Sequence, residues 1–570
     1  MGRVGATSIK TVVAFVLVAV IQATLVADAQ AAGTGKSAKR FAKIEPALLG
    51  AARANPDQDF KIVVRTAPAK TRDHVARAGE AVRKAKGKPT HALGIVGGAS
   101  AVVSGRGVLA LANDPDIESV VSDRTLRASF DPIAAAVTES GPGILEVGAP
   151  AVWTQYGVTG RGVGVAVVDS GVAGHPDLAG RIVAAVDFTS ATTSASPVPL
   201  GDPGGHGTHV AGLVAGDGTA SAGAYVGVAP GASIVDVRVI RADGTSDLST
   251  VLRGLQWILE NRRTYNIRVA NLSLGAPMAT SYTQDPLATA AEILSFSGVL
   301  VVAAAGNGGP AGGTVLSPAS DPYVLTVGAL DDAGTSDPSD DSVATFSARG
   351  PTADGIAKPD LAAPGRKMVS LRSPGSTLDL LYPDRQVSTA PLAPPEYFRL
   401  SGTSMAAPVV AGVAALMFER NPTLTAGQVK HRLRETATAL PFGSATTTGA
   451  GMVSAPRAVA AVDPALDYSA YRVTDAFAED AYPLVSGQRI AWRDLGYNAG
   501  VDSKGLPWAA VDWSNVTWDT ITWENITWET FDWVTITWET VTWETITWES
   551  TSALSAGALS GSGSGWALVN

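Results

Sequence analysis

Short apolar runs alternate with helix-like stretches through the middle of the chain, from about residue 143 to residue 465. Four of these runs are rich in Val, Ile and Ala: "GVGVAVVD" (Gly162–Asp169), "ASIVDVRVI" (Ala232–Ile240), "IRVANLSLG" (Ile267–Gly275) and "GVLVVAAAGN" (Gly298–Asn307). Continuous runs of this kind predict strands that are buried on both faces. The pattern therefore predicts an α/β fold with a mostly parallel sheet flanked by helices.

A Lys- and Arg-rich zone precedes this region. It contains a strand-like run, "FKIVVRT" (Phe60–Thr66), and a longer run, "GRGVLALANDPDIESVVSD" (Gly105–Asp123), which we interpret as helical. Together they predict a small α+β unit over residues 32–130.

The N-terminus has the pattern of a secretory signal. Arg3 and Lys10 precede the apolar run Thr11–Ile21, and the small-residue stretch "LVADAQAAG" follows. We predict a signal peptide over residues 1–31, cleaved after Ala29 or Ala31. The alternative is an uncleaved anchor, but the run is shorter than the ~20 residues that a membrane span needs. We expect a secreted protein, extracellular or associated with the cell surface, without a membrane span after signal removal.

The C-terminal part falls into a linker (466–507), a Trp repeat (508–550) and a Ser-, Gly- and Ala-rich flexible tail (551–570). Trp recurs at every fifth position: Trp508, Trp513, Trp518, Trp523, Trp528, Trp533, Trp538, Trp543 and Trp548. A period of five fits neither a helix stripe nor one flat strand. Alternation within units such as "ITWE" favours short β-segments, and a disordered tail is the alternative. Stacking on wall polysaccharide and self-association are its candidate roles, since it carries no catalytic group.

Composition narrows the function classes. The net charge of −9 does not fit a nucleic-acid partner, because phosphate binding needs a basic face. The chain has no Cys, which excludes a disulfide scaffold, thiol catalysis and Cys-ligated zinc.

Three polar residues stand at junctions between apolar runs and turns. They are Asp169 in "VAVVDSGV", His206 in "GGHGTHVAG" and Ser404 in "SGTSMAAPVVAG". Taken singly, each has a structural explanation, such as a turn Asp or a Ser at a helix N-cap. Together, an Asp, a His and a Ser supply the orienting group, the general base and the nucleophile of acyl transfer.

These stretches carry a family resemblance. "VVDSGV", "HGTHVAG" and "GTSMAAP" resemble the signature blocks of the subtilisin-like serine peptidases, the subtilases. "VVAAAGN" resembles the block with the oxyanion-hole Asn, here Asn307. The resemblance implies that Asp169, His206 and Ser404 form a catalytic triad, with Asn307 donating to the oxyanion.

The resemblance also implies where substrate binds. "NLSLG" resembles the family's substrate-binding strand, which implies that Ser273, Leu274 and Gly275 bind substrate. Gly306, in the block that contains Asn307, is a fourth predicted substrate-binding residue. Gly308 stands where several members carry an acidic residue. We therefore expect a broad or apolar preference in the primary pocket.

Three further features complete the comparison with the family. His209, three residues after His206, is interpreted as structural. Asp177 matches a calcium ligand of some members, but the partner loop departs from theirs, so we assign no metal site and expect no required cofactor. The Pro-rich insert Met368–Phe398 is expected to be a surface loop near the cleft.

The predicted function is that of a secreted serine endopeptidase acting on protein or peptide substrates. Residues 143–465 form the catalytic domain. Residues 32–130 resemble the family's inhibitory propeptide, which implies a precursor that cleaves itself between Arg127 and Gly143. The alternative is an inactive subtilase scaffold that serves as an adhesin or wall-binding protein through the Trp repeat.

Overall fold

The computed structural model describes residues 43–66, 74–128, 130, 144–190, 200–335, 337 and 339–462. The predicted signal peptide, linker, Trp repeat and tail lie outside the described residues. Within the described residues, no helix is both long enough and apolar enough to cross a membrane.

The N-terminal unit is an antiparallel sheet of four strands covered by helices. Its strands are β1 (Asp59–Thr66), β2 (Lys88–Leu93), β3 (Gly98–Ser104) and β4 (Ile117–Ser122), in the order β2-β3-β1-β4. Its helices are α1 (Pro46–Ala54), α2 (His74–Lys84) and α3 (Gly105–Leu111). The strand predicted at Phe60–Thr66 is confirmed as most of β1, and its last five residues are buried between two neighbouring strands.

The helix predicted over Gly105–Asp123 is only partly correct. Helix α3 starts beside Ser104, whose Oγ accepts a hydrogen bond from the Gly107 N–H at 3.2 Å, but the helix ends at Leu111. Pro115 disfavours the helical conformation of the residue before it. The β-branched stretch that follows then pairs with β1 as β4.

The central sheet of the larger domain has eight strands. Seven follow the order β14-β13-β12-β10-β6-β8-β7, and β15 pairs with β13; only β14 is antiparallel to its neighbour. Their bounds are β6 (Gly164–Asp169), β7 (Ile182–Asp187), β8 (Ser233–Arg238), β10 (Ile267–Leu272), β12 (Leu300–Ala304), β13 (Leu325–Asp331), β14 (Ser342–Val343) and β15 (Leu361–Pro364). The four apolar runs of the sequence become the adjacent strands β12, β10, β6 and β8, which confirms the predicted α/β class.

Helices cover both faces of this sheet. Along β6, Val165 and Val167 pack into one apolar cluster while Ala166 and Val168 pack into the other, because alternate side chains of a strand point to opposite faces. The helices are α4 (Ala149–Tyr156), α5 (His206–Ala215), α6 (Leu248–Asn261), α7 (Pro286–Phe296), α8 (Thr377–Leu381), α9 (Thr403–Arg420), α10 (Ala426–Glu435) and α11 (Ala455–Ala460).

The insert Met368–Phe398 is more ordered than the expected surface loop. It contains helix α8 and most of an antiparallel three-stranded sheet of β16 (Met368–Leu371), β17 (Gln386–Val387) and β18 (Tyr397–Leu400). Apolar side chains at its two ends, Met368 and Tyr397, join the core of the domain. The Pro residues that suggested a loop lie between these elements.

A third small sheet joins the N-terminal unit to the larger domain. Strand β5 (Thr125–Ala128) lies between β9 (Thr245–Asp247) and β11 (Leu274–Gly275), antiparallel to both. The chain that leaves the N-terminal unit thus runs along the larger domain as an added strand.

Candidate active site

Asp169 and His206 are hydrogen-bonded at the carboxyl edge of the central sheet. Asp169 is the last residue of β6, and His206 is the first residue of α5. His206 Nδ1 lies 2.8 Å from Asp169 Oδ1 and 3.0 Å from Oδ2, and both side chains are buried. Gly207 permits this approach, since a Cβ there would lie 2.3 Å from the Gly171 carbonyl oxygen and 3.0 Å from Asp169 Cβ.

The surroundings of His206 strengthen it as a base. Burial alone lowers the pKa of His206, but the charge and hydrogen bond of Asp169, together with the charge of Asp202, raise the pKa above its ordinary value. The hydrogen bond to Asp169 through Nδ1 leaves Nε2 as the atom that can accept a proton. Nε2 is buried and has no hydrogen-bond partner among the described residues.

Asp202 holds the turn before His206, and sequence reasoning missed it. Its Oδ1 accepts hydrogen bonds from Ser170 Oγ and Gly205 N–H, both at 2.7 Å. Its Oδ2 accepts from Thr208 N–H and Thr208 Oγ1, both at 2.8 Å. The signal in the sequence was an Asp just before a helix start, where carboxylates accept from exposed N–H groups. Asp202 therefore positions His206 without touching it.

Ser404 is the second residue of helix α9. Its backbone N–H belongs to the first turn of the helix, where N–H groups have no partner four residues earlier. Its hydroxyl donates to the Ser273 carbonyl oxygen at 2.9 Å in this structure, and Ser273 Oγ donates to the Ser404 carbonyl oxygen at 2.9 Å. The hydroxyl is thus turned to the substrate-strand backbone, and rotation about its Cα–Cβ bond changes its direction. Such hydrogen bonds often tighten only when substrate is bound.

The side-chain amide of Asn307 is hydrogen-bonded through its oxygen, while its NH₂ group has no partner among the described residues. Asn307 Oδ1 accepts from Thr403 N–H at 3.0 Å and from Thr403 Oγ1 at 2.9 Å. These two bonds assign the other amide atom as the NH₂ group, which is buried without a hydrogen-bond partner in the described part of the chain. Gly306, with φ of +110°, makes the turn that places Asn307 next to the start of α9. Two donor groups, the Asn307 amide and the Ser404 N–H, thus lie at the start of α9.

The chain following the N-terminal unit pairs with the strand that the sequence predicts to bind substrate. Arg127 pairs with Gly275 and Ala128 with Leu274, as an extended peptide would pair by strand addition. Further along, the ring centroid of Phe130 lies 6.0 Å from that of His206. Two of the predicted residues, Leu274 and Gly275, therefore pair with a segment of the protein itself.

Polar contacts anchor the N-terminal unit to two helices of the larger domain. Asp123 accepts hydrogen bonds from the Ser249 N–H and Ser249 Oγ, both at 2.7 Å, at the start of α6. Arg124 Nη2 lies 2.5 Å from Asp285, the N-cap residue of α7. The carboxylate of Asp123 thus caps a helix of the other domain, which favours one docking geometry.

His209 lies one turn after His206 and contacts carbonyl groups only. Its Nε2 is 3.1 Å from the carbonyl oxygens of both Met368 and Phe398, which ties α5 to the insert. Burial, with a smaller effect of the His206 charge, lowers the pKa of His209 to about 3, so the ring is neutral at ordinary pH. These contacts support the structural interpretation.

Asp177 does not present a calcium-binding arrangement. Its Oδ1 accepts from the Ala220 N–H at 2.7 Å, and its Oδ2 accepts from Tyr397 Oη at 2.7 Å. Calcium takes six to eight oxygen ligands, and here both carboxylate oxygens already bind internal donors. No group of three or more metal-ligating side chains occurs in the described ranges.

Comparisons with known proteins identify the family of this chain. Residues 160–453 match the model of the subtilase family, peptidase S8. The chain is 42% identical to serine protease AprX of Bacillus subtilis (strain 168) over 308 residues, which cover 53% of this chain and 67% of that protein. It is 34% identical to subtilisin E of the same organism over 385 residues, covering 66% of this chain and 85% of that protein.

A solved structure is similar over a comparable range. Fervidolysin from Fervidobacterium pennivorans, described as a keratinolytic enzyme related to subtilisin, matches with a TM-score of 0.54 and 26% identity. The match covers 72% of this chain and 62% of the fervidolysin chain.

Proposed function

The chain belongs to the subtilase family of serine endopeptidases, and on that premise we propose that it hydrolyses peptide bonds through Asp169, His206 and Ser404. The observation that carries the proposal is the hydrogen-bonded pair of Asp169 and His206, whose Nε2 has no partner among the described residues. Helix α5, which begins at His206, packs against α9, which carries Ser404 in its first turn. Protein or peptide chains are the proposed substrates. The chemistry uses side-chain and backbone groups alone, so the proposal includes no metal or cofactor.

The proposed mechanism follows from the protonation states. Neutral His206 accepts the Ser404 proton at Nε2 while Oγ attacks the scissile carbonyl carbon. Asp169 stabilises the imidazolium that forms and keeps the ring in the required orientation. His206 then donates the proton to the leaving amine, and water hydrolyses the acyl-enzyme by the same route in reverse.

The oxyanion is held by two donors in this mechanism. The Asn307 NH₂ group and the Ser404 N–H bind the oxygen when it becomes negative, and the N-terminus of α9 adds the positive end of its dipole. The bonds from Thr403 fix Asn307 before substrate arrives, so no reorganisation is needed during the reaction.

Asn307→Leu, which removes the donor at similar size, is expected to lower kcat by about 10²–10³-fold with little change in KM. The reason is that the hydrogen bond forms in the transition state and hardly at all in the ground state. Steady-state kinetics on a chromogenic peptide check this. Asn261→Leu, a change at the half-buried last residue of α6 where Leu suits the helical backbone, is the matched control. An equal loss in both variants, or a loss of Asn307→Leu confined to KM, would contradict the assignment.

We further propose that the N-terminal unit is an inhibitory propeptide removed by self-cleavage. Three contacts support this: β5 fills the strand-binding site, Asp123 caps α6, and Arg124 pairs with Asp285. A segment that occupies the substrate strand competes with substrate. Export then yields a mature enzyme outside the cell, which agrees with the signal-like N-terminus.

We assign peptide hydrolysis to residues 143–465. To the Trp repeat we assign a role in location, assembly or binding. Deletion of Asp512–Ser550 is therefore expected to leave kcat/KM on a short peptide within about twofold of the full chain. The measurement is peptide turnover by both purified proteins, with unfolding temperatures compared to show that the deletion folds. Loss of turnover in a folded deletion protein would refute this division of labour.

A further inference from the structure

Leu316 lies between two glycines of the substrate site. A Cβ added to Gly275 would lie 2.9 Å from Leu316 Cβ and 3.1 Å from its Cδ1. A Cβ added to Gly306 would lie 2.6 Å from Leu316 Cγ and 2.9 Å from its Cδ1. The Leu316 side chain therefore contacts the substrate-binding strand on one side and the oxyanion turn on the other.

The backbone around Leu316 is bonded to both of these segments. The Leu316 N–H donates to the Ala305 carbonyl oxygen at 3.0 Å. The neighbouring Ser317 N–H donates to the Ala276 carbonyl oxygen at 2.9 Å, and the Ala276 N–H donates back at 3.2 Å. These bonds hold the backbone at Leu316 to both segments.

This space is where the side chain before the scissile bond must enter. In a peptide substrate bound in the register of β5, that residue comes opposite Ser273, whose carbonyl oxygen accepts the Ser404 hydroxyl. Its own carbonyl oxygen must reach the Asn307 amide, one residue after Gly306. Gly275 and Gly306 present no side chains, so they form the two walls of a slot, and Leu316 fills part of it.

We propose that Leu316 restricts the primary pocket, so that the enzyme cleaves after small residues such as Gly, Ala and Ser. The proposal rests on the proposed peptidase function and narrows the broad or apolar preference expected from the sequence. A large apolar side chain would have to share the slot with the Leu316 isobutyl group, and overpacking of this kind typically costs 1–3 kcal/mol, or about 5–150-fold.

The register of β5 supplies an independent argument. Arg127 and Ala128 pair with Gly275 and Leu274, and Phe130 lies against His206. The residue between Ala128 and Phe130 is Ser129, which lies outside the described residues. On sequence order alone, Ser129–Phe130 is the bond that we propose for self-cleavage. Ser129, the residue before this bond, has a small side chain, as a restricted pocket requires. The amine released by cleavage would be that of Phe130, beside His206.

Turnover of peptide anilides that differ only in the residue before the anilide tests the pocket. We expect kcat/KM of the mature enzyme to be at least tenfold higher with Ala or Ser than with Phe or Leu. Leu316→Gly is expected to raise the Phe-to-Ala ratio by about 10–100-fold, and Leu316→Ala to raise it by less. Leu392→Gly is the matched control, because Leu392 is fully exposed and has a positive φ that glycine accepts.

The outcomes separate the two proposals. If the wild type cleaves after Phe as readily as after Ala, or if neither Leu316 variant changes the ratio, the pocket assignment is wrong while the peptidase function stands. If the mature protein cleaves none of the peptides, the proposed function itself fails, and this inference with it. The Ala variant retains most of the local packing, so the test does not depend on the folding of Leu316→Gly.

Maturation of the full chain gives a second readout. N-terminal sequencing is expected to find Phe130 as the first residue generated by self-cleavage. Ser129→Phe is expected to slow maturation at least tenfold, and adding Leu316→Gly to that variant is expected to restore it. A first cut at another bond, or no rescue in the double variant, would overturn the assignment of Ser129.

Discussion

Ser404→Ala is expected to stop maturation and to lower peptide hydrolysis by about 10⁶-fold, because it removes the nucleophile on which both reactions depend. The precursor should then remain at full length after signal removal, with β5 still paired to the substrate strand. Export does not need the nucleophile, so both the wild type and the variant should be recovered from the culture medium. Mass measurement of the secreted chains and turnover of a peptide substrate check the two parts.

The control for this experiment is Ser339→Ala, which removes an exposed hydroxyl from a loop of the same domain. It should mature and turn over like the wild type. The self-processing account is wrong if the Ser404→Ala precursor matures to the wild-type N-terminus with no protease added.

Asp169→Asn is expected to lower kcat by about 10⁴-fold while leaving the fold intact. The Asn side chain carries no charge to stabilise the imidazolium, and its amide can hold His206 in the wrong tautomer. The rate should also change its dependence on pH. His206 acts as a base only when neutral, so the rate rises as pH rises through its pKa. The Asp169 charge raises that pKa, so its removal should move the rising limb to lower pH.

The pH profile of kcat/KM for both proteins measures this shift. Asp243→Asn serves as the control, since Asp243 lies in an exposed turn and should leave both rate and profile unchanged. A residual rate above one tenth of wild type, or a rising limb that stays in place, would contradict the role given to Asp169.

The central sheet could be predicted because each of its main strands is marked by a short apolar run in the sequence. Runs such as Gly162–Asp169 and Gly298–Asn307 are continuous, β-branched and bounded by Gly, so their burial and parallel pairing follow from composition alone. The candidate catalytic residues were found for a related reason, since each stands at the end of such a run or at the start of a helix. The pairing of Asp169 with His206 then follows from the common edge where parallel strands end.

The remaining features depend on contacts between distant parts of the chain. Pro115 is a local signal for the end of α3, but the strand that follows it is stabilised by pairing of β4 with β1, which competes with helix propensity. The role of Leu316 is visible only when Gly275 and Gly306, which are 31 residues apart in sequence, are seen on either side of it. Asp202 depends on such contacts in part, since Gly205 and Thr208 follow it closely in sequence but its third donor residue, Ser170, lies 32 residues earlier.

We propose above all that Ser404 is a nucleophile activated by His206 and Asp169. The most direct test is reaction of the purified mature protein with a fluorophosphonate, followed by mass mapping of the modified serine. We expect one adduct per chain, on Ser404, formed much more slowly in Asp169→Asn. A folded protein that forms no adduct, or carries it on a different serine, would contradict the claim.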